Sequence, residues 1–156
     1  MKNLIFLIAL IFGGCSVSNT SLKVTDFAKC YIHKIPAPFW VCYQSSFIAV
    51  GKVHGDKLNR LKQEEAYSLG VSEMIKKLQA KTSLMLRRLG IKKDLSEKVK
   101  NFVIVNAVEG ESWYSTAEKM IYVEVKLDKN EFKKFLFEEL KNVNKEKLEN
   151  AFDETF

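Results

Sequence analysis

From residue 61 to residue 89 apolar side chains return with the period of an α-helix, and so long a one-sided rod restricts the fold more than any other stretch. Tyr67, Val71, Met74, Ile75, Leu78, Met85 and Leu89 fall at i, i+4, i+7, i+8, i+11, i+18 and i+22, while Lys62, Glu65, Ser72, Lys76, Gln79 and Arg87 take the other faces. Gly90 supplies the stop. The apolar stripe has to be buried against something, and the flanking residues say what.

Residues 47–53 are a β-rich run with Gly51 near its end, followed by His54-Gly55-Asp56 as a turn. Asp94-Leu95-Ser96-Glu97 suggests a short second helical turn. Residues 102–108 and 121–127 carry strong β formers and are expected to make a long hairpin, with Trp113 and Tyr114 near its tip. In the second of these strands Ile121, Val123, Val125 and Leu127 alternate with Tyr122, Glu124 and Lys126, so one face is buried and the other wet. Asp128 or Asn130 caps a helix from about residue 131, with Phe132, Phe135, Leu136 and Leu140 as its apolar stripe. Residues 145–152 are a last helical turn or a frayed tail. The order strand, long helix, strand, strand, helix implies an α+β two-layer sandwich: a three-stranded antiparallel sheet with the long helix and the C-terminal helix on one face.

The first fifteen residues follow a different rule. Lys2, nine apolar residues at 4–12 and Gly13-Gly14-Cys15 fit a bacterial export signal ending at a cysteine placed for lipid attachment. Nine apolar residues fall far short of the ~20 that span a bilayer. Residues 1–14 are therefore expected to be removed, 15–30 to form a lipidated tether rich in serine at its start, and 31–156 to form a single domain. Ser16 is not the aspartate that would retain a lipoprotein at the inner membrane, which points to the outer membrane, with the domain on its periplasmic or surface face. An ordinary cleaved signal and an uncleaved anchor are the alternatives.

Three cysteines then leave Cys30 and Cys42 as an even pair in an oxidising compartment once Cys15 carries lipid. Pro36 and Pro38 between them favour a bend that could join the sulfurs; two reduced cysteines buried as small apolar residues are the other reading. A disulfide here is a structural staple, since no Cys-x-x-Cys is present.

Formal charge is +6, carried on scattered lysines, which suits weak attraction to anionic headgroups or an acidic partner; no nucleic-acid recognition motif accompanies it. No nucleophile with a base, metal set or phosphate loop is legible, so no enzyme activity, cofactor or metal is expected. His33 and His54 stand 21 positions apart, and a Cys30/His33/Cys42 metal cluster lacks a fourth ligand. Glu64-Glu65 and Glu138-Glu139 are adjacent pairs that point to different sides of a helix. Two aromatic pairs remain as interface candidates: Phe39-Trp40 after Pro36-Ala37-Pro38, and Trp113-Tyr114. Each either plugs the core edge or docks a partner.

Pro38-Phe39-Trp40-Val41, a strand ending in Gly51, a long helix with small residues at Ala66 and Gly70, and a hairpin ending Tyr122-Val123-Glu124-Val125-Lys126-Leu127-Asp128 occur here in that order. Over residues 36–140 the chain resembles the LPP-twenty lipoprotein family of Helicobacter-type outer membranes, which includes the FlgP-type flagellar basal-disk lipoprotein. The resemblance implies a domain of the SHS2-like or dodecin-like kind, acylation at Cys15 and no enzymatic activity. Members tend to repeat alanine along the first helix, where this chain has Gly70 and Met74, and the Cys30/Cys42 pair is not a family feature. The leading expectation is a membrane-anchored lipoprotein with a structural or assembly role, partnered by copies of itself or by other envelope or flagellar proteins. The rival is a periplasmic carrier of a small ligand or lipid, with a pocket lined by Phe102, Ile104 and Tyr67.

Overall fold

The structure, a computed structural model, describes residues 29–156. Cys15 and most of the expected tether lie outside the described residues. Three strands, β3 (Ile48–His54), β4 (Val108–Ser115) and β5 (Met120–Lys126), form an antiparallel sheet in the order β3-β5-β4. Before it come β1 (Tyr31–Ile32), β2 (Ile35–Pro36) and the short helix α1 (Phe39–Cys42). The helices are α2 (Arg60–Arg88), α3 (Ser96–Asn106), α4 (Lys129–Glu139) and α5 (Lys145–Thr155). The architecture is a mixed α+β two-layer sandwich.

At 29 residues α2 is about 43 Å long, roughly twice the length of the strands it crosses. Its first half lies on the sheet and its second half passes beyond it. The approach to the sheet is a backbone contact: a Cβ on Gly51 of β3 would overlap the Ala66 carbonyl and come within 2.6 Å of the Gly70 nitrogen, and a Cβ on Gly70 would lie 2.5 Å from Val125 Cγ2. Around this contact Ala49, Val53, Ile121, Val123 and Val125 bury the sheet face against Ala66 and Met74. Lys77 ties the helix to the outer side of β3, its Nζ donating to the carbonyls of Ser45 at 2.8 Å and Ile48 at 3.3 Å. Burial and the neighbouring Lys81 charge hold the Lys77 amine below its ordinary value.

Beyond the sheet, α3 and α5 pack on the rest of α2, and α4 packs on α5. Leu78, Met85, Leu86, Val99, Val103, Leu136, Leu148 and Phe152 belong to the same buried cluster as Ala49 and Val125. Phe132 sits edge-on to Phe47, Phe102 and Phe156, so rings from four segments meet in one place. Asp128 accepts from the backbone of Asn130 and Glu131 and Asn144 from that of Lys147, capping α4 and α5.

One element departs from expectation. Residues 102–106 belong to α3 and not to a strand, and the first strand of the hairpin is displaced to Val108–Ser115. Phe-Val-Ile-Val favours a strand by local propensity. Packing against α2 prevails: Val99 and Val103, one turn apart, are completely buried, whereas Ile104 and Val105 are 55% and 79% exposed. That is a helical burial pattern. The tail at 145–152 is a full helix reaching Thr155, with Phe152 completely buried.

Candidate functional site

The second face of the sheet, turned away from α2, gathers the aromatic residues singled out in the sequence. Val50, Met120, Tyr122 and Trp113 lie on this face, and the segment 29–43 folds over them. That segment is closed by a disulfide between Cys30 and Cys42, whose Cα atoms are 5.7 Å apart. Cys30, the last residue of the expected tether, is thus inside the folded unit, buried with Trp40, Val41 and Tyr122. The reversal that brings the sulfurs together is made at His33 and Lys34, both at positive φ, and not at the prolines: Pro36 lies in β2, paired with Tyr31, and Pro38 precedes the first residue of α1.

Trp40 is 8% exposed and donates Nε1 to Glu111 Oε2 at 3.1 Å, fastening the lobe to β4. Its neighbour Phe39 is half exposed and stacks on Tyr43 at 4.3 Å. Trp113 and Tyr114, adjacent on β4, point to opposite faces because strand side chains alternate. Trp113 packs on Tyr122 at 5.3 Å beside the lobe, and Tyr114 faces the α2 side, donating to the Asp56 carbonyl at 2.8 Å. Both tryptophans of the chain therefore share one cluster, and Tyr114 is separate from it.

Charged residues pin the lobe's edges. Glu118 accepts from Tyr122 Oη and lies 3.4 Å from His33 Nε2, so it bridges the sheet to the β1–β2 turn. Burial, reinforced by that hydrogen bond, pushes the Tyr122 phenol up from its ordinary value. Glu124, almost fully buried on the same face, accepts from Glu111 N at 3.3 Å and pairs with Lys126 at 2.9 Å. A register shift between Glu109 and Ser112 makes room for that carboxylate beside Gly110. Sequence reading missed Glu111, Glu118 and Glu124. Alternation along β5 puts Glu124 on a wet face with Tyr122 and Lys126, but the lobe and β4 cover that face, leaving Tyr122 6% and Glu124 4% exposed.

Phe102, Ile104 and Tyr67 do not converge on a pocket. Phe102 stacks on Phe135 at 4.6 Å, Ile104 is exposed, and Tyr67 donates its hydroxyl to the Ala107 carbonyl at 2.9 Å. Among the described residues no group of three histidine, cysteine or carboxylate side chains is placed to hold a metal.

The class defined by these observations is an α+β two-layer sandwich whose free sheet face is closed by a disulfide-stapled lobe. No family model and no curated protein gives a significant match to the chain.

Proposed function

We propose that this chain is a non-enzymatic lipoprotein of the bacterial envelope, anchored through an acylated Cys15 and serving a structural or assembly role. The observation that carries this reading is the Cys30–Cys42 disulfide. Structural disulfides persist in oxidising compartments, so the bond supports export, and it consumes two of three cysteines, leaving Cys15 at the end of the signal-like segment as the single remaining thiol. Lipid attachment suits that position, because two or more acyl chains give stable anchoring where one gives only marginal binding. The polar lobe edges and the buried aromatic cluster support a scaffold in preference to a catalyst.

The sharpest version places the protein in the flagellar motor of a bacterium of the Helicobacter type, on the strength of the LPP-twenty resemblance. Metabolic labelling with a fatty acid tests the anchor: wild type takes up label and Cys15→Ala does not, and equal labelling removes the anchor. Gene deletion followed by motility assays and motor imaging tests the flagellar version. Intact motors and normal swimming overturn it without touching the anchor.

A further inference from the structure

Three connections remote in sequence meet at one end of the sheet. His33 of the β1–β2 turn lies against Glu118 of the β4–β5 turn, as described above. The carbonyl of Lys119 in that second turn accepts from Gly55 N at 2.9 Å, and Tyr114 holds Asp56 through its carbonyl. Between the β4–β5 turn, the β3–α2 connection and the first turn of α2 opens a cleft of about 480 Å³. Its walls include His54, Asp56, Lys57, Asn59, Lys62 and Lys119.

The chemistry of these walls narrows the ligand. No aliphatic or aromatic hydrophobic residue lines the cleft, so its selectivity rests on charged and polar groups. Three lysines face one carboxylate, Asp56. Lys62 is paired with Glu65 at 2.6 Å, whereas Lys57 and Lys119 have no carboxylate within 4.0 Å among the described residues. The positive end of the α2 dipole adds to the same field. Three lysines around one cleft suit a phosphate oxyanion, to which lysine binds as a point charge.

We propose that this cleft binds a phosphate group, and that in the envelope the phosphate is that of an anionic phospholipid headgroup. The second half rests on the lipoprotein reading. It draws on chain length: thirteen residues separate Cys15 from Lys29, so the described domain starts no more than about 50 Å from the anchor. Four positions after Lys29 the chain reaches His33 at the basic end itself. A tether that short keeps the cleft within reach of the bilayer that holds it.

The test uses the full chain, co-sedimented with vesicles of phosphatidylcholine with and without phosphatidylglycerol. The apolar segment 4–12 is common to all variants and cancels in the comparison. Lys57→Gln/Lys119→Gln is expected to weaken binding to the phosphatidylglycerol vesicles roughly 30-fold, at about 1 kcal/mol per lysine at an anionic surface. Lys92→Gln/Lys141→Gln removes the same charge at the far end of α2, and it is expected to leave most of the binding. Inorganic phosphate, titrated against the chain by calorimetry, is expected to bind and to lose binding in the first variant only. Equal weakening by both variants overturns the cleft in favour of overall charge. Phosphate binding lost in the first variant, with vesicle binding unchanged, overturns the headgroup and leaves a site for free phosphate. None of these readouts depends on acylation, so a failure at Cys15 and a failure at the cleft are distinguishable.

Discussion

At Gly51 and Gly70 two backbones touch, and the side chain neither residue has is what permits it. Alanine at position 70 would gain about 1 kcal/mol of helix propensity over glycine. Its Cβ, 2.5 Å from Val125 Cγ2 and 2.8 Å from Gly51 N, meets a side chain and a strand backbone that cannot both retreat. The clash outweighs the propensity, and Gly70→Ala is expected to destabilise the domain by about 2 kcal/mol net, with Gly51→Ala worse because its Cβ meets only backbone. Gly90 is the contrast: at φ +69° with nothing near its Cβ, replacement by alanine costs about 1 kcal/mol from the left-handed conformation alone. Urea unfolding of the three variants checks the ranking. A second residue-scale prediction concerns Glu139, which accepts from Lys98 and Lys93 and whose carboxyl those hydrogen bonds hold below its ordinary value of 4.5. A depressed carboxyl stabilises the fold while ionised and ceases to do so as pH falls through its folded value. Stability of the wild type should therefore decline more steeply below about pH 4.5 than that of Glu139→Gln, measured by urea unfolding across that range.

Among the elements, those with a complete local signal were legible. The α2 stripe shows because an exposed rod must alternate faces every turn, and β5 shows because one of its faces packs on α2. Asp128 announces α4 because a cap is a short-range device. The helix α3 was concealed by its own composition. Asp94 accepts from Ser96 N at 2.8 Å, and Leu95, Val99 and Val103 follow at helical spacing, yet the β-branched run after Lys100 pointed to a strand. The aromatic cluster of the second face was half legible: its rings were visible, but not which of two neighbours on a strand would face the lobe. Register with β5, which pairs Trp113 with Tyr122, decides that, and register is a long-range property. The basic cleft had no local signal, since Lys57 and Lys119 are brought together only by strand pairing. For the lobe, replacing Cys30 and Cys42 by serine opens a short loop worth about 3 kcal/mol in the chain-entropy model. The melting temperature is expected to fall by roughly 10 °C. Tryptophan emission should shift to the red at temperatures below that transition, since Trp40 and Trp113 both rely on the lobe for their burial. A fall in melting temperature with unshifted emission would show that the lobe stays docked without its staple.

At the scale of the molecule, α2 is a spine shared by two neighbours, the sheet on its first half and the helices α3 and α5 on its second, with α4 packed on α5. Phe152 of α5 is completely buried in the second half, so Phe152→Ala should cost about 3–5 kcal/mol and, if the halves are one cooperative unit, melt the sheet with the helices. Circular dichroism at far- and near-ultraviolet wavelengths checks that coincidence; two separate transitions would show independent halves. The disulfide lobe closes the sheet's other face and the basic end lies at the tips of the hairpins, so the domain has a buried side, a stapled side and a charged end. That polarity suits a protein held to a surface from its N-terminal side. The anchor itself is the central claim, and mass spectrometry of the N-terminal peptide from protein purified out of the cell envelope tests it most directly. The account predicts a peptide that begins at Cys15 and carries the added mass of acyl chains. A peptide that retains Met1, or one that contains Cys15 as an unmodified thiol, would contradict it.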